Sequence, residues 1–344
     1  MKKYISLQVL RGLAAWIVIF HHYIQSFYIA VGKTPSQIGK LFYQYGKFGV
    51  DIFFVLSGFI MFMSIKDRKI NSQAFFLNRL LRIVPAYWFF TIFMVLSLIL
   101  VPESFISGFT ATSLIKSLVF IPTKNPGHGY YPVLYVGWTL AYEMCFYTIL
   151  SMCIGINKKY PLITSCIILL IVGGILGRYH FLGKPNALFL EFFLGIIIGY
   201  IIREYYMHIE RYKKIATFVC ITLTICLFYR YRLNMFSAGL ILLVFIIQES
   251  VFVRFKKLSA VLSHLGDISY STYLVHVIVI GWLYHIFGNN NSLAMELLIL
   301  LLLSSIVYLI SVVSFKYVEN AEWINKFKTK ISKAYPVPIP VAVK

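Results

Sequence analysis

The sequence predicts an all-α, polytopic integral membrane bundle of about ten transmembrane helices with both termini cytoplasmic. Three observations carry this. Hydrophobic residues make up 60% of the 344-residue chain. Charged residues make up only 13%, about half the usual share of a soluble domain. The charge that remains is lopsided, with 32 Lys+Arg against 12 Asp+Glu for a formal net charge of +20, and it collects between the apolar runs. A soluble domain of this length needs more polar surface, a disordered chain is less apolar, and a basic nucleic-acid binder carries its charge on a hydrophilic body.

A span needs about 20 mostly apolar residues. The first candidate, 7–29, follows Lys2 and Lys3 and so resembles a signal peptide. Arg11, His21 and His22 sit in or beside its apolar run and no small-residue cleavage site follows, so it reads as a retained span. Runs 48–65 and 83–101 come next, separated by Lys66, Arg68, Lys69, Arg79 and Arg82. A half-apolar stretch, 102–134, leads to 135–155, which Lys158 and Lys159 part from 161–177. Runs 187–202 and 214–229 flank Arg203, Arg211, Lys213 and Lys214; 234–253 precedes Arg254, Lys256 and Lys257; 268–287 and 295–318 complete the set. No polar stretch suffices for a second folded domain. Residues 1–325 therefore read as one transmembrane domain, and 326–344 as a basic cytoplasmic tail whose Pro336, Pro338 and Pro340 cannot propagate a helix.

With the N-terminus inside, about two-thirds of all Lys+Arg fall on inner segments, which sets the orientation and favours an even number of spans. The same runs attract anionic membrane lipids, and no nucleic-acid partner is needed to explain them. The five cysteines, all in apolar segments and odd in number, suit small packing residues better than disulfides or a metal site. No Walker loop, dinucleotide fingerprint or HExxH zinc motif occurs.

Ionisable groups inside a bilayer are costly and point to function. Arg11 and His22 are eleven residues apart, so on a helix they share one face about 16 Å apart, while His21 points about 80° away. Glu143 lies at a depth in its span similar to that of His22, which allows a carboxylate–imidazole pair that would orient the ring and raise its basicity. Asp51 near the outer end of the second span suits a polar acceptor or a cation, and equally suits a helix cap. Ser57 is deeper but has no G-x-S-x-G elbow around it. His276 is a further intramembrane imidazole. Arg79 and Arg82 stand one helical turn apart, so both guanidiniums can face one anion, and the planar fork of arginine suits phosphate.

Six motifs in order then resemble a family. They are Leu10-Arg11-Gly12-Leu13-Ala14-Ala15 with His22; Gly49-Val50-Asp51 through Ser57-Gly58-Phe59; Arg79-Leu80-Leu81-Arg82-Ile83-Val84-Pro85; Trp138-Thr139-Leu140-Ala141-Tyr142-Glu143 through Tyr147; Ile268-Ser269-Tyr270-Ser271-Thr272-Tyr273-Leu274-Val275-His276; and Tyr317-Val318-Glu319-Asn320. The chain resembles the membrane acyltransferase-3 family. It is most similar to the exopolysaccharide and O-antigen O-acetyltransferase branch, which has no fused extracytoplasmic domain. Where the family usually has Glu-x-Pro, this chain has Glu319-Asn320-Ala321.

The resemblance implies transfer of an acyl group, usually acetyl, from cytoplasmic acyl-CoA to a hydroxyl of a glycan or lipid-linked sugar. The setting it implies is the bacterial inner membrane, with no metal and with glycan-assembly proteins as possible partners. It makes Arg11 and His22 the residues expected to be essential and puts Arg79 and Arg82 near the CoA phosphates. His22 is then expected as general base, steered by Glu143 or Asp51, with an acyl-His intermediate as a variant. Arg11 holds the pantetheine or stabilises charge near the inner mouth. Asp51, Ser57, Trp138 and His276 are the expected substrate-binding residues. A transporter for a glycan precursor or an anion, lined by the same residues, is the alternative. No internal repeat or matched pair of broken helices supports it.

Overall fold

The computed structural model of the protein describes residues 4–65, 70–101, 103, 105, 108–126, 129–175, 177, 185–230, 234–288 and 293–335. Lys2, Lys3, Lys66, Arg68, Lys69, Arg178, Lys184, Arg232 and the proline-containing end of the chain lie outside the described residues. Within them the chain is helical and has no strand. The helices are α1 (Ile5–Phe27), α2 (Gln37–Tyr45), α3 (Phe48–Ile65), α4 (Ser72–Leu100), α5 (Ala111–Leu118), α6 (Trp138–Ile156), α7 (Pro161–Leu170) and α8 (Phe189–Arg211). They continue with α9 (Lys213–Ile225), α10 (Asn234–Ile247), α11 (Glu249–Arg254), α12 (Lys256–Asp267), α13 (Ser269–Phe287), α14 (Leu293–Ser314) and α15 (Glu322–Ala334).

Each expected span is largely helical where it is described, but among the described residues only seven stretches are long and apolar enough to cross a membrane. They are Ile5–Val31, Gln37–Ile65, Ser72–Leu100, Tyr135–Ile156, Asn186–Arg211, Ser269–Phe287 and Ala294–Glu319. Pro161–Ile175 and Asn234–Ile247 are shorter apolar helices, and Lys213 and Lys214 open the helix that follows α8. The expected run 234–253 divides because the chain leaves helical geometry at Gln248. The next residue, Glu249, is drawn to the start of α1, where its two carboxylate oxygens accept the backbone N–H groups of Ile5 and Ser6, each at 2.9 Å. A helix leaves its first N–H groups unpaired, and a carboxylate there is favoured by both hydrogen bonding and the helix dipole. Expected span 83–101 also differs. Its helix starts eleven residues earlier, at Ser72, with Asn71 Oδ1 accepting from Ala74 N. Arg79 and Arg82 therefore lie within α4 rather than ahead of it.

The start of the expected tail is ordered: Glu322–Ala334 is an amphipathic helix with Ile324 fully buried and Trp323 and Phe327 exposed.

α1 runs through the bundle against α12, α13, α3 and α2, and α3 makes its broadest packing with α8. Glycines set these distances. A Cβ on Gly58 would meet the carbonyl of Phe192, and one on Gly195 the carbonyl of Val55, so α3 and α8 touch backbone to backbone. Small residues are how helices associate in lipid, where no hydrophobic force drives them together. Gly195→Ala is expected to lower the thermal unfolding midpoint in detergent, by overpacking worth about 1–3 kcal/mol. Gly174→Ala, whose Cβ would meet nothing within 4 Å, leaves the midpoint unchanged. Equal midpoints for the two variants would contradict this packing.

Candidate functional site

Two cavities lie along the same face of α1. The first, about 70 Å³, is lined by Arg11 of α1, Ser57 of α3, Arg82 of α4, Glu143 and Tyr147 of α6, and Tyr270 and Tyr273 of α13, among apolar neighbours. The second, about 370 Å³, is lined by His22 and Gln25 of α1, Tyr43, Glu103, Tyr135 and the Val277–Gly281 turn of α13. The eleven-residue spacing of Arg11 and His22 thus puts one in each cavity, on one helix.

In the Arg11 cavity, charged groups of both signs lie close together. Glu143 Oε1 accepts from Tyr147 Oη at 2.5 Å and from Ser57 Oγ at 3.2 Å. Arg11 Nη1 donates to Gln8 Oε1 at 3.3 Å and lies within electrostatic reach of Arg82, Glu319 and Glu143. Tyr270 Oη donates to the Ile83 carbonyl at 2.7 Å and ties α13 to α4 beside Arg82. Arg79 does not line the cavity. Its guanidinium is 5.3 Å from the Phe75 ring centroid and 5.6 Å from that of Tyr147, and its buried Nε has no hydrogen-bond partner among the described residues. Arg79 and Arg82 are thus neighbours around one tyrosine, with only Arg82 facing the opening.

Two further charges join this end. Glu319 accepts from Ser271 Oγ at 2.5 Å and is within reach of Arg11 and Arg82, although the proline usual after it is missing. Lys328, on α15, approaches the same group. Burial, and then the neighbouring Arg82 guanidinium, pull its pKa below the usual lysine value, with Glu319 opposing. Sequence reasoning treated Lys328 as part of a basic tail, since nothing in a run of lysines tells which one turns inward.

In the second cavity, His22 Nδ1 is 3.2 Å from Gln25 Oε1 and 2.7 Å from Tyr135 Oη. The amide oxygen only accepts, so pairing with it puts the proton on Nδ1, with Tyr135 Oη as a second acceptor of the same N–H, and leaves Nε2 as the basic nitrogen. The rings of His22 and His276 stack at 5.3 Å and 28°, and Tyr273 lies 5.7 Å beyond His276. His21 turns aside, as its helical phase predicts, donating to the Phe42 carbonyl at 3.3 Å and stacking on Tyr43.

Several expectations are corrected. Glu143 is not the partner of His22: Ser57 and Tyr147 hold it in the other cavity, and Gln25 and Tyr135 orient the imidazole instead. Equal depth did not mean adjacency, because the helix face of Glu143 looks toward α3 and Arg11. Asp51, in the first turn of α3, hydrogen-bonds the buried Glu191 of α8 and lines neither cavity. Trp138 packs against Phe54 and Tyr142 and borders a separate, small pocket with Tyr87 and Phe120. Gln25 and Tyr135 were missed because an uncharged polar residue and a tyrosine carry no signal in a chain with 25 tyrosines.

Comparison with known proteins adds independent findings. Over 162 residues, 45% of this chain, it is 35% identical to the exopolysaccharide production protein ExoZ of Rhizobium meliloti (strain 1021). That match spans 50% of the relative's own length. No solved structure matches. Residues 4–316 match the family model of the acyltransferase-3 type, described as an acyltransferase domain. That match runs through α1 to α14 and includes Arg11, His22, Arg82, Glu143 and His276, and the chain belongs to the acyltransferase-3 family.

Proposed function

We propose that this protein is a membrane O-acyltransferase that moves an acyl group, acetyl in the first instance, from cytoplasmic acyl-CoA to a hydroxyl of a cell-surface glycan or lipid-linked sugar. The observation that carries the reading is the pair of cavities on one helix face, cationic at Arg11 and Arg82 and basic at His22. Acyl-CoA has the matching polarity. Its phosphates lie at one end, a long uncharged pantetheine arm follows, and the thioester is at the other end. Arg82, Arg11 and Lys328 hold the phosphates, with Arg79 behind them. The arm runs along α1, and the thioester reaches the His22 layer. The similarity to a protein named for exopolysaccharide production supports a glycan acceptor. The distribution of Lys and Arg supports placing the Arg11 end in the cytoplasm of a bacterial inner-membrane protein.

The chemistry follows from the His22 geometry. Gln25 and Tyr135 fix the ring so that Nε2 faces the reaction. Nε2 takes the proton of the acceptor hydroxyl as the oxygen attacks the thioester carbon. The carbon–sulfur bond breaks, and the departing CoA thiolate takes that proton back from His22. General-base help of this kind is worth about 10²–10⁴-fold. Glu143 is a positioning residue: it holds Ser57 and Tyr147 and offsets Arg11.

Membranes carrying the protein, given acetyl-labelled acetyl-CoA, are expected to label surface glycan. Uptake of label without glycan modification would support a transporter and defeat this reading. His22→Ala is expected to cut incorporation by about 10²-fold or more while the protein still inserts and is still stabilised by acetyl-CoA; native activity in that variant rules out the base assignment. Arg82→Ala is expected to raise the KM for acetyl-CoA about 10-fold or more, the scale of a lost charge-assisted hydrogen bond. Lys328→Ala is expected to raise it by about 3-fold, with little change in kcat, because Lys328 is only half-buried. Unaltered KM in both would remove the phosphates from this end.

A further inference from the structure

Acyl transfer needs more than a base. As the hydroxyl attacks, the carbonyl electron pair moves onto oxygen, and a donor aimed at that oxygen is often the largest single contribution to catalysis. The layer between the two cavities has several hydroxyls, each held in contact with a neighbouring protein group. Thr139 Oγ1 lies 3.1 Å from both the Val136 carbonyl and Tyr273 Oη, and Tyr273 Oη donates to the Val136 carbonyl at 3.2 Å. Tyr135 Oη is held against His22, accepting from the Nδ1–H at 2.7 Å.

His276 differs. It is fully buried, and neither of its ring nitrogens has a hydrogen-bond partner among the described residues. The backbones of Thr272 and Tyr273, one turn back on α13, lie close to the ring, but neither closes with hydrogen-bond geometry. A buried imidazole carrying an unused N–H is costly unless something else completes it. Its position fits such a completion. It stacks on His22, Tyr273 one turn before it lines the Arg11 cavity, and Val277 directly after it lines the His22 cavity. The ring itself lines neither cavity and stands between residues that line each.

We propose that His276 is a catalytic residue, whose free ring N–H binds the thioester carbonyl oxygen and stabilises the oxyanion formed when the acceptor hydroxyl attacks. This rests on the acyltransferase reading above. The ring acts as a neutral donor throughout. The hydroxyl proton goes to His22, the new carbon–oxygen bond forms, and the electron pair on the oxyanion returns to expel the CoA thiolate. His276 gives up its hydrogen bond, not its proton. The arrangement divides the work between two stacked imidazoles, His22 as base and His276 as donor.

The test uses the full chain in detergent with acetyl-labelled acetyl-CoA and alkali-deacetylated surface glycan from the same cells as acceptor. His276→Phe and His276→Met remove the N–H, whereas His276→Gln keeps one but cannot exchange protons. Both apolar variants are expected to lose about 10²–10³-fold in kcat, the scale of an oxyanion donor. The KM for acetyl-CoA and thermal stabilisation by it should stay near native. His276→Gln is expected to recover at least about 10-fold over them, with a pH profile of native shape because the limb set by His22 is retained. Activity within about 3-fold of native in either apolar variant overturns the proposal. So does a glutamine variant no better than the apolar ones, or one whose pH profile has lost a limb, which would make His276 a base or relay. His22→Ala is run in parallel. If it alone is fully active, the base reading fails, whereas an inactive His22→Ala beside an active His276→Phe sinks only the present inference.

Discussion

The rest of the site depends on α1 being one continuous helix. A rise of 1.5 Å per residue turns the spacing of Arg11 and His22 into two points about 16 Å apart on one face. A break or a bend between them would separate the two cavities. The helix is anchored where a helix is weakest, at its first turn, by a carboxylate from Glu249 that closes two otherwise orphaned N–H groups. Further along, Gly49 and Gly266 bring neighbouring backbones against it: a Cβ on the first would meet the Ala14 carbonyl, and one on the second the Gln8 carbonyl. The helix that carries Arg11 and His22 is thus held along its length by its neighbours.

Charge within the apolar body is handled in two ways. At the Arg11 end, cations outnumber the carboxylates around them. Arg11, Arg82 and Lys328 converge on Glu319 and Glu143, and one carboxylate is already hydrogen-bonded by Tyr147 and Ser57. An excess of buried positive charge favours an anionic ligand. Among the described residues, no Lys or Arg lines the His22 cavity. Gln25 and Tyr135 orient the His22 imidazole, and the His276 ring stacks on it. The contrast between a cationic end and an end without Lys or Arg gives the bundle a direction along α1.

Buried groups outside these cavities also make sense in these terms. Asp51 and Glu191 lie within hydrogen-bonding reach of each other, a pairing that offsets the cost of burying two polar groups. It joins α3 to α8 where glycines already bring the two helices together. Asp51 therefore belongs to the packing of that pair, and its motif context reflects the close approach of α3 to its neighbours rather than a place in either cavity.

Composition alone determined that the chain is a helical membrane protein, because 60% hydrophobic residues in long uninterrupted runs leave no other way to satisfy the backbone. Helical phase alone determined that Arg11 and His22 share a face and that His21 does not, because the period of a helix is fixed by its hydrogen bonds. Tertiary structure decided who meets whom. Equal depth in two spans could not distinguish a Glu143–His22 pair from a Glu143–Ser57–Tyr147 group, since the choice depends on rotation about each helix axis and on which helices adjoin. The split of the 234–253 run, the turn of Lys328 toward Arg82 and the stacking of His276 on His22 were likewise decided by partners far away in the chain. Local sequence carries the period of an element and its tolerance of lipid; it does not carry the identity of the neighbour that fills the space beside it.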